Sequence, residues 1–125
     1  MKTLSITFFF LTTLFSGCSN NSINNSDRSK ADYIISVNEQ IQLVIPSNPT
    51  TGYSWKWVNK NSVTVVDTFD YHFIPGYPAI PGKGGNEIWN FKGVKSGIDS
   101  IKLEYRCPWI TKSIVRSKII VIKVN

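Results

Sequence analysis

Cysteine and histidine are scarce in this chain: it has two of the former and one of the latter in 125 residues. That count excludes a zinc site built from Cys and His ligands. It equally excludes the disulfide framework that staples many small secreted domains. Charged residues are modest at 18%, while hydrophobic residues reach 42%, which excludes a wholly disordered chain. Acidic residues number 8 against 14 Lys and Arg, for a formal net charge of +6. The basic residues are scattered rather than massed, as on a solvated surface, so no nucleic-acid partner is expected. What the chain does have is aromatics, 13%, together with 8 Gly and 6 Pro. That composition leans toward a single all-β domain with frequent turns.

The longest apolar stretch, Leu4 to Phe15, follows Lys2 and is too short to span a bilayer, which takes roughly 20 residues as a helix. It reads as the hydrophobic region of a signal peptide. It ends in Leu14-Phe15-Ser16-Gly17-Cys18, which resembles a bacterial lipobox. Small residues before the Cys let the signal peptidase reach the backbone, and the thiol is then acylated. The expectation is a lipoprotein signal peptide over residues 1–17 and lipidation at Cys18. The protein would then sit in the cell envelope, held to a membrane through that lipid, on the periplasmic side or at the surface. An ordinary secretory signal followed by a chance Cys is the alternative. Cleavage before Cys18 removes only Lys2 among the charged groups, taking the net charge to +5. Ser19 to Lys30 is Asn- and Ser-rich with one apolar residue, too polar to order itself. Residues 18–32 are therefore assigned to the lipidated Cys and a flexible tether, and 33–125 to the folded domain.

From Tyr33 onward the apolar residues recur with a period of two. Ile35, Val37, Ile41, Leu43 and Ile45 share a parity, with a turn or bulge expected near Asn38-Glu39. Tyr53, Trp55 and Trp57 alternate with polar residues, Trp89 shares a face with Phe91, and Ile101 does so with Leu103 and Tyr105. Val63 to Phe73, rich in Val, Thr and aromatics, reads as strand, and Ser113 to Val124 ends in Ile119-Ile120-Val121-Ile122, a near-continuous apolar run suited to a central strand. About seven or eight such strands, broken by Gly/Pro clusters, predict an immunoglobulin-like β-sandwich, with no apolar pattern at helical spacing to compete.

Three loops carry more than turn formation requires. In Ser47-Asn48-Pro49-Thr50-Thr51-Gly52-Tyr53-Ser54-Trp55, Asn-Pro starts a turn and Gly52 supplies a positive φ, which pushes the two threonines to the tip. Ile74 to Asn86 is long for a hairpin and stiffened at three prolines. Its Gly82-Lys83-Gly84-Gly85 lacks the Lys-Ser/Thr pair and following helix of a phosphate loop. Tyr105-Arg106-Cys107-Pro108-Trp109-Ile110 sets a Trp between Pro and an apolar residue, the kind of side chain that anchors recognition.

NPTTGYSW, then a GxGG segment, then PW late in the chain, in that order over residues 33–125, resembles the chagasin family of cysteine-peptidase inhibitors. The resemblance implies an immunoglobulin-like sandwich that blocks the cleft of papain-like peptidases reversibly through three loops at one end. It implies no cofactor, no metal and a monomeric domain. Asn48, Pro49, Thr50, Thr51, Gly52 and Tyr53 would form a central wedge, with the threonines nearest the enzyme's Cys and His. Gly82, Gly84 and Gly85 would belong to a second loop clasping one side of the cleft. Pro108 and Trp109 would lie in the third, with Trp109 against an aromatic wall. Where the family has Arg directly before Pro-Trp this chain has Cys107, with Arg106 one step earlier, and neighbours in an extended segment point to opposite sides.

Two other readings are weighed against this one. An enzyme would need Cys107 and His72 to meet as nucleophile and base, and nothing in the pattern joins them. An adhesion or carbohydrate-binding module would use Trp109 and Tyr77 as a platform and be indifferent to Thr50. Cys107 itself is open to three roles: a buried small hydrophobe, an intermolecular disulfide partner, or a redox-sensitive element of the binding loop.

Overall fold

The computed structural model describes residues 30–125. The signal segment, Cys18 and most of the tether lie outside the described residues. Seven strands follow one another: β1 (Tyr33–Ile35), β2 (Gln40–Ser47), β3 (Ser54–Trp57), β4 (Val66–Pro75), β5 (Gly85–Gly93), β6 (Gly97–Arg106) and β7 (Arg116–Val124). They form a four-stranded sheet in the order β1-β7-β6-β3 and a three-stranded sheet in the order β2-β5-β4. Neighbours are antiparallel except β1, which runs parallel to β7 with Tyr33 opposite Ile122. Among the described residues there is no α-helix. This is the expected immunoglobulin-like sandwich.

The inward faces are those that the period of two marked out, except at Val37, which falls in the turn after β1 and is exposed. Ile35, Leu43, Ile45, Trp55, Phe91, Ile101, Leu103 and Ile122 close the core between the sheets. The strand break expected near Asn38 is a turn in which Asn38 takes φ 72° and donates its N–H to the Gly93 carbonyl at 2.8 Å. Asn tolerates that left-handed conformation better than most side chains.

Two expectations shift and one holds. β4 begins at Val66 rather than Val63, because the Asp99 carboxylate accepts the N–H groups of Thr64 (2.7 Å) and Val65 (3.1 Å). With those donors engaged, the segment bends before it can join the sheet ladder. The apolar run of β7 does lie in a central strand, between β1 and β6; Ile120 and Ile122 face the core, while Ile119 is 62% exposed. Asp32, counted with the tether, is already docked: its N–H donates to the Val121 carbonyl, and its carboxylate accepts the Val121 N–H, both at 2.8 Å.

Candidate functional site

The connections β2–β3, β4–β5 and β6–β7 emerge at the same end of the sandwich. Ser47, Pro75 and Gly85 are register partners there, as are Ser54 with Arg106 and Tyr105 with Arg116. The first loop, residues 48–53, contains a short 3-10 turn at Pro49–Thr51. Thr51 N–H donates to the Asn48 carbonyl at 3.1 Å, and Gly52 N–H to the Pro49 carbonyl at 3.0 Å. Proline at the start of the turn fixes φ where no N–H is needed, and Gly52 ends it at φ 83°.

Asn48 ties this turn to everything around it. Its N–H donates to the Tyr105 hydroxyl (2.9 Å) and its side-chain amide to the Gly82 carbonyl of the second loop (2.9 Å). Its side-chain oxygen accepts the Thr50 hydroxyl (2.5 Å), and its carbonyl accepts the Thr51 hydroxyl (2.6 Å). Both threonines are exposed with their protons committed inward, which leaves the hydroxyl lone pairs facing solvent as acceptors. The sequence reading placed the hydroxyls at the tip; it could not show which way they donate.

The second loop, residues 76–84, closes on itself through Gly76 N–H to the Gly84 carbonyl (2.9 Å) and Lys83 N–H to the Ile80 carbonyl (3.1 Å). The Lys83 ammonium adds a bond to the Tyr77 carbonyl at 2.5 Å, while the Tyr77 ring is 96% exposed. Gly84, at φ 75°, lies so close under the first loop that a Cβ there would sit 2.9 Å from the Ser47 carbonyl and 3.1 Å from Asn48 Cβ. Gly85 opens β5 opposite Ser47 and Pro75.

The third loop, residues 107–115, is stapled at its base by Ser113. The Ser113 hydroxyl accepts the Cys107 N–H (2.9 Å) and donates to the Cys107 carbonyl (2.8 Å). Pro108 and Trp109 are exposed, Trp109 to 74%, yet the indole covers the first loop. A Cβ on Gly52 would lie 2.9 Å from Trp109 Cζ2, and 3.7 Å from Cys107 Sγ beneath it. Cys107 is 3% exposed, so of its three roles the buried small hydrophobe is the one the geometry matches. Arg106 borders the third loop beside Pro108 and Trp109. It turns to the outer face of the four-stranded sheet, where its guanidinium lies 3.9 Å from Glu104, a carboxylate that Lys102 also contacts at 3.2 Å. It does not substitute on the side where Cys107 points.

Two residues outside the three motifs, Tyr105 and Glu87, help build this end. Tyr105 packs against Trp55 (ring centroids 5.2 Å apart) and Tyr53 (5.8 Å), and its hydroxyl holds Asn48. Glu87 is fully buried beneath the first loop. Its parity with Trp89 and Phe91 is the signal that points an acidic residue at the core. Burial, then the charge of Glu87 and the contact between the two side chains, pushes the Tyr71 hydroxyl above its ordinary value.

Among the described residues, Cys107 and His72 do not meet as nucleophile and base. Cys107 is enclosed in the third loop, whereas His72 is exposed on β4 with Nδ1 3.1 Å from the Asp70 carboxylate. The sandwich presents three braced loops at one end, an arrangement suited to holding a partner. Comparison with known proteins gives the class. The family described as chagasin family peptidase inhibitor I42 matches residues 34–124. Amoebiasin-1 of Entamoeba histolytica is 32% identical over 83 residues, covering 66% of this chain and 79% of that protein. Chagasin of Trypanosoma cruzi is 27% identical over 82 residues, 63% of this chain and 74% of chagasin. Among solved structures, the cysteine protease inhibitor EhICP2 from Entamoeba histolytica shares the fold with a TM-score of 0.59 at 20% identity, over 77% of this chain and all of that one. The chain belongs to the chagasin family of peptidase inhibitors.

Proposed function

We propose that this protein is a reversible, tight-binding inhibitor of papain-like cysteine peptidases that fills the active-site cleft with its three loops. One observation carries the reading: Asn48 binds the NPTTGY turn to the GKGG loop while Trp109 covers Gly52, so the three motifs form one braced surface. A loop already ordered before docking loses little entropy on binding. A peptidase cleft acts on an extended chain, and a 3-10 turn whose Asn48 and Pro49 carbonyls already accept hydrogen bonds does not offer one. The outward lone pairs of Thr50 and Thr51 can accept from the enzyme's imidazolium without burying an unmatched charge. Asn48 to Tyr53 form the wedge, Gly82, Gly84 and Gly85 belong to one flank, and Pro108 and Trp109 to the other. Arg106, 3.9 Å from Glu104, borders the Pro108–Trp109 flank.

The same proposal places the protein in the cell envelope, anchored by acylated Cys18 through the polar segment that follows it, with a monomeric inhibitory domain. The test is a titration of papain with the full chain purified in detergent. Stoichiometric, reversible inhibition is expected, weakened about tenfold or more when Thr50→Ala and Thr51→Ala remove two hydrogen-bonding groups. Full papain activity in the presence of folded protein would overturn it. Mass spectrometry of the purified chain should show a diacylated Cys18 as the first residue; an unmodified Cys18 would overturn the anchor.

A further inference from the structure

Glu87 is fully buried, and among the described residues no cation lies in salt-bridge range of it. A carboxylate taken out of water is costly unless donors replace the lost hydration. Here three do so. Oε1 accepts the Ser47 hydroxyl at 2.6 Å and the Trp55 backbone N–H at 3.2 Å, and Oε2 accepts the Trp89 indole N–H at 3.3 Å. All three are neutral, so the side chain is held by hydrogen bonds rather than by an ion pair.

The identity of the donors matters more than their number. Ser47 is the last residue of β2 and Trp55 the second of β3, so they are the two stems of the first loop, and β2 and β3 belong to opposite sheets. A single oxygen on a third strand therefore holds both ends of the loop that crosses between the sheets. Trp55 adds a second tie on the same path, its indole N–H donating to the Pro46 carbonyl at 3.0 Å. A hydrophobic residue at 87 could fill the space but would leave the Ser47 hydroxyl and the Trp55 N–H without this shared acceptor.

We propose that Glu87 is a positioning residue for peptidase binding: by clamping Ser47 and Trp55 on one carboxylate oxygen it sets the span and orientation of the wedge at Asn48–Tyr53. The inference rests on the inhibitory reading for its kinetic test but not for its structural one. Glu87→Gln keeps one carbonyl acceptor and presents an amide N–H₂ where the carboxylate accepted. Ser47→Ala removes the shorter clamp bond and leaves Glu87 in place, whereas Ser47→Thr retains the hydroxyl. Ile101→Val, in the core between the sheets, serves as a destabilised control.

The experiment uses the full chain in detergent, with papain titrations and amide NMR spectra recorded side by side. Glu87→Gln and Ser47→Ala should each raise the inhibition constant about tenfold, with amide shifts concentrated at 48–53. Ser47→Thr should restore inhibition to within about threefold of the parent, and Ile101→Val should lower the melting temperature without moving the constant. If Glu87→Gln fails to fold, the two Ser47 variants decide alone. Inhibition unchanged in Ser47→Ala, or weakened as much in Ile101→Val, would overturn the proposal. Should the parent itself leave papain active, the inhibitory reading fails. The clamp is then decided by NMR: loop-centred shifts in Ser47→Ala support it, and their absence overturns it.

Discussion

Gly52 allows the bracing of the loops to be separated from the strain of the turn. It ends the wedge at φ 83°, and a Cβ there would lie 2.9 Å from Trp109 Cζ2 and 3.1 Å from Cη2. Gly52→Ala therefore does two things. It places an L side chain in the left-handed region, which destabilises by about 1–2 kcal/mol. It also pushes on an indole that, being 74% exposed, can swing away into water. The first effect should lower the melting temperature by about 4–8 °C per kcal/mol in a domain of this size. The second should appear only in binding. If Trp109 is an anchor worth about 2 kcal/mol, its displacement weakens inhibition about 30-fold. Gly52→Asn isolates that effect, because Asn tolerates positive φ yet still carries the Cβ. Thermal unfolding followed by circular dichroism, alongside papain titration, should show Gly52→Ala losing both stability and affinity. Gly52→Asn should lose affinity with little change in melting temperature. An unchanged inhibition constant in both variants would refute the view that the indole's seat on Gly52 matters for binding. A Gly52→Asn protein as destabilised as Gly52→Ala would refute the separation of strain from contact.

Asn48→Ala removes the bridge to Gly82 and the acceptor for Thr50, so papain titration should show inhibition weakened about tenfold, from hydrogen bonds worth about 1 kcal/mol each. Cys107→Ala trims a buried side chain and should cost about 1 kcal/mol in denaturant titrations. Because the thiol is enclosed, inhibition should be the same with and without reductant, in the parent and in the variant. The fold favours the neutral Tyr71 phenol, whose ionisation is raised above its unfolded value near 10. The associated stability is present in full below about pH 10 and is lost as pH rises through the higher folded value. Melting temperatures measured from pH 8 to 12 should therefore fall less steeply in Tyr71→Phe than in the parent.

What the sequence could disclose followed the range of the interactions involved. The turn at Asn48-Pro49 and its termination at Gly52 depend on neighbouring residues, so their chemistry was visible in eight consecutive letters. The outward direction of Arg106 also followed from period two. By contrast, Trp109 over Gly52 and Tyr105 under Asn48, residues 57 apart in the latter pair, arise only once the sheets are paired. The early bend at Thr64 has the same origin, since the Asp99 carboxylate that captures it comes from 35 positions away. Ile119 shows the limit of pattern reading from the other side. Four apolar residues in a row specify a strand but not whether a second layer covers each face.

The placement of β7 has a consequence for how the molecule comes to be. β2, β4 and β5 can complete their sheet once residue 93 has been made. Among the described residues β1 pairs only with β7, and Asp32 meets Val121 across 89 residues of chain. A nascent or translocating polypeptide therefore carries its first strand without a hydrogen-bonding neighbour until its last strand arrives. Contacts so distant along the chain slow folding. The four-stranded sheet thus closes late, when β7 slots between β6 and β1. Only then is the base of the third loop fixed between Tyr105 and Arg116. The inhibitory surface is accordingly among the last features to mature, and a chain caught before that step would be unfolded at one sheet and inactive at its business end together.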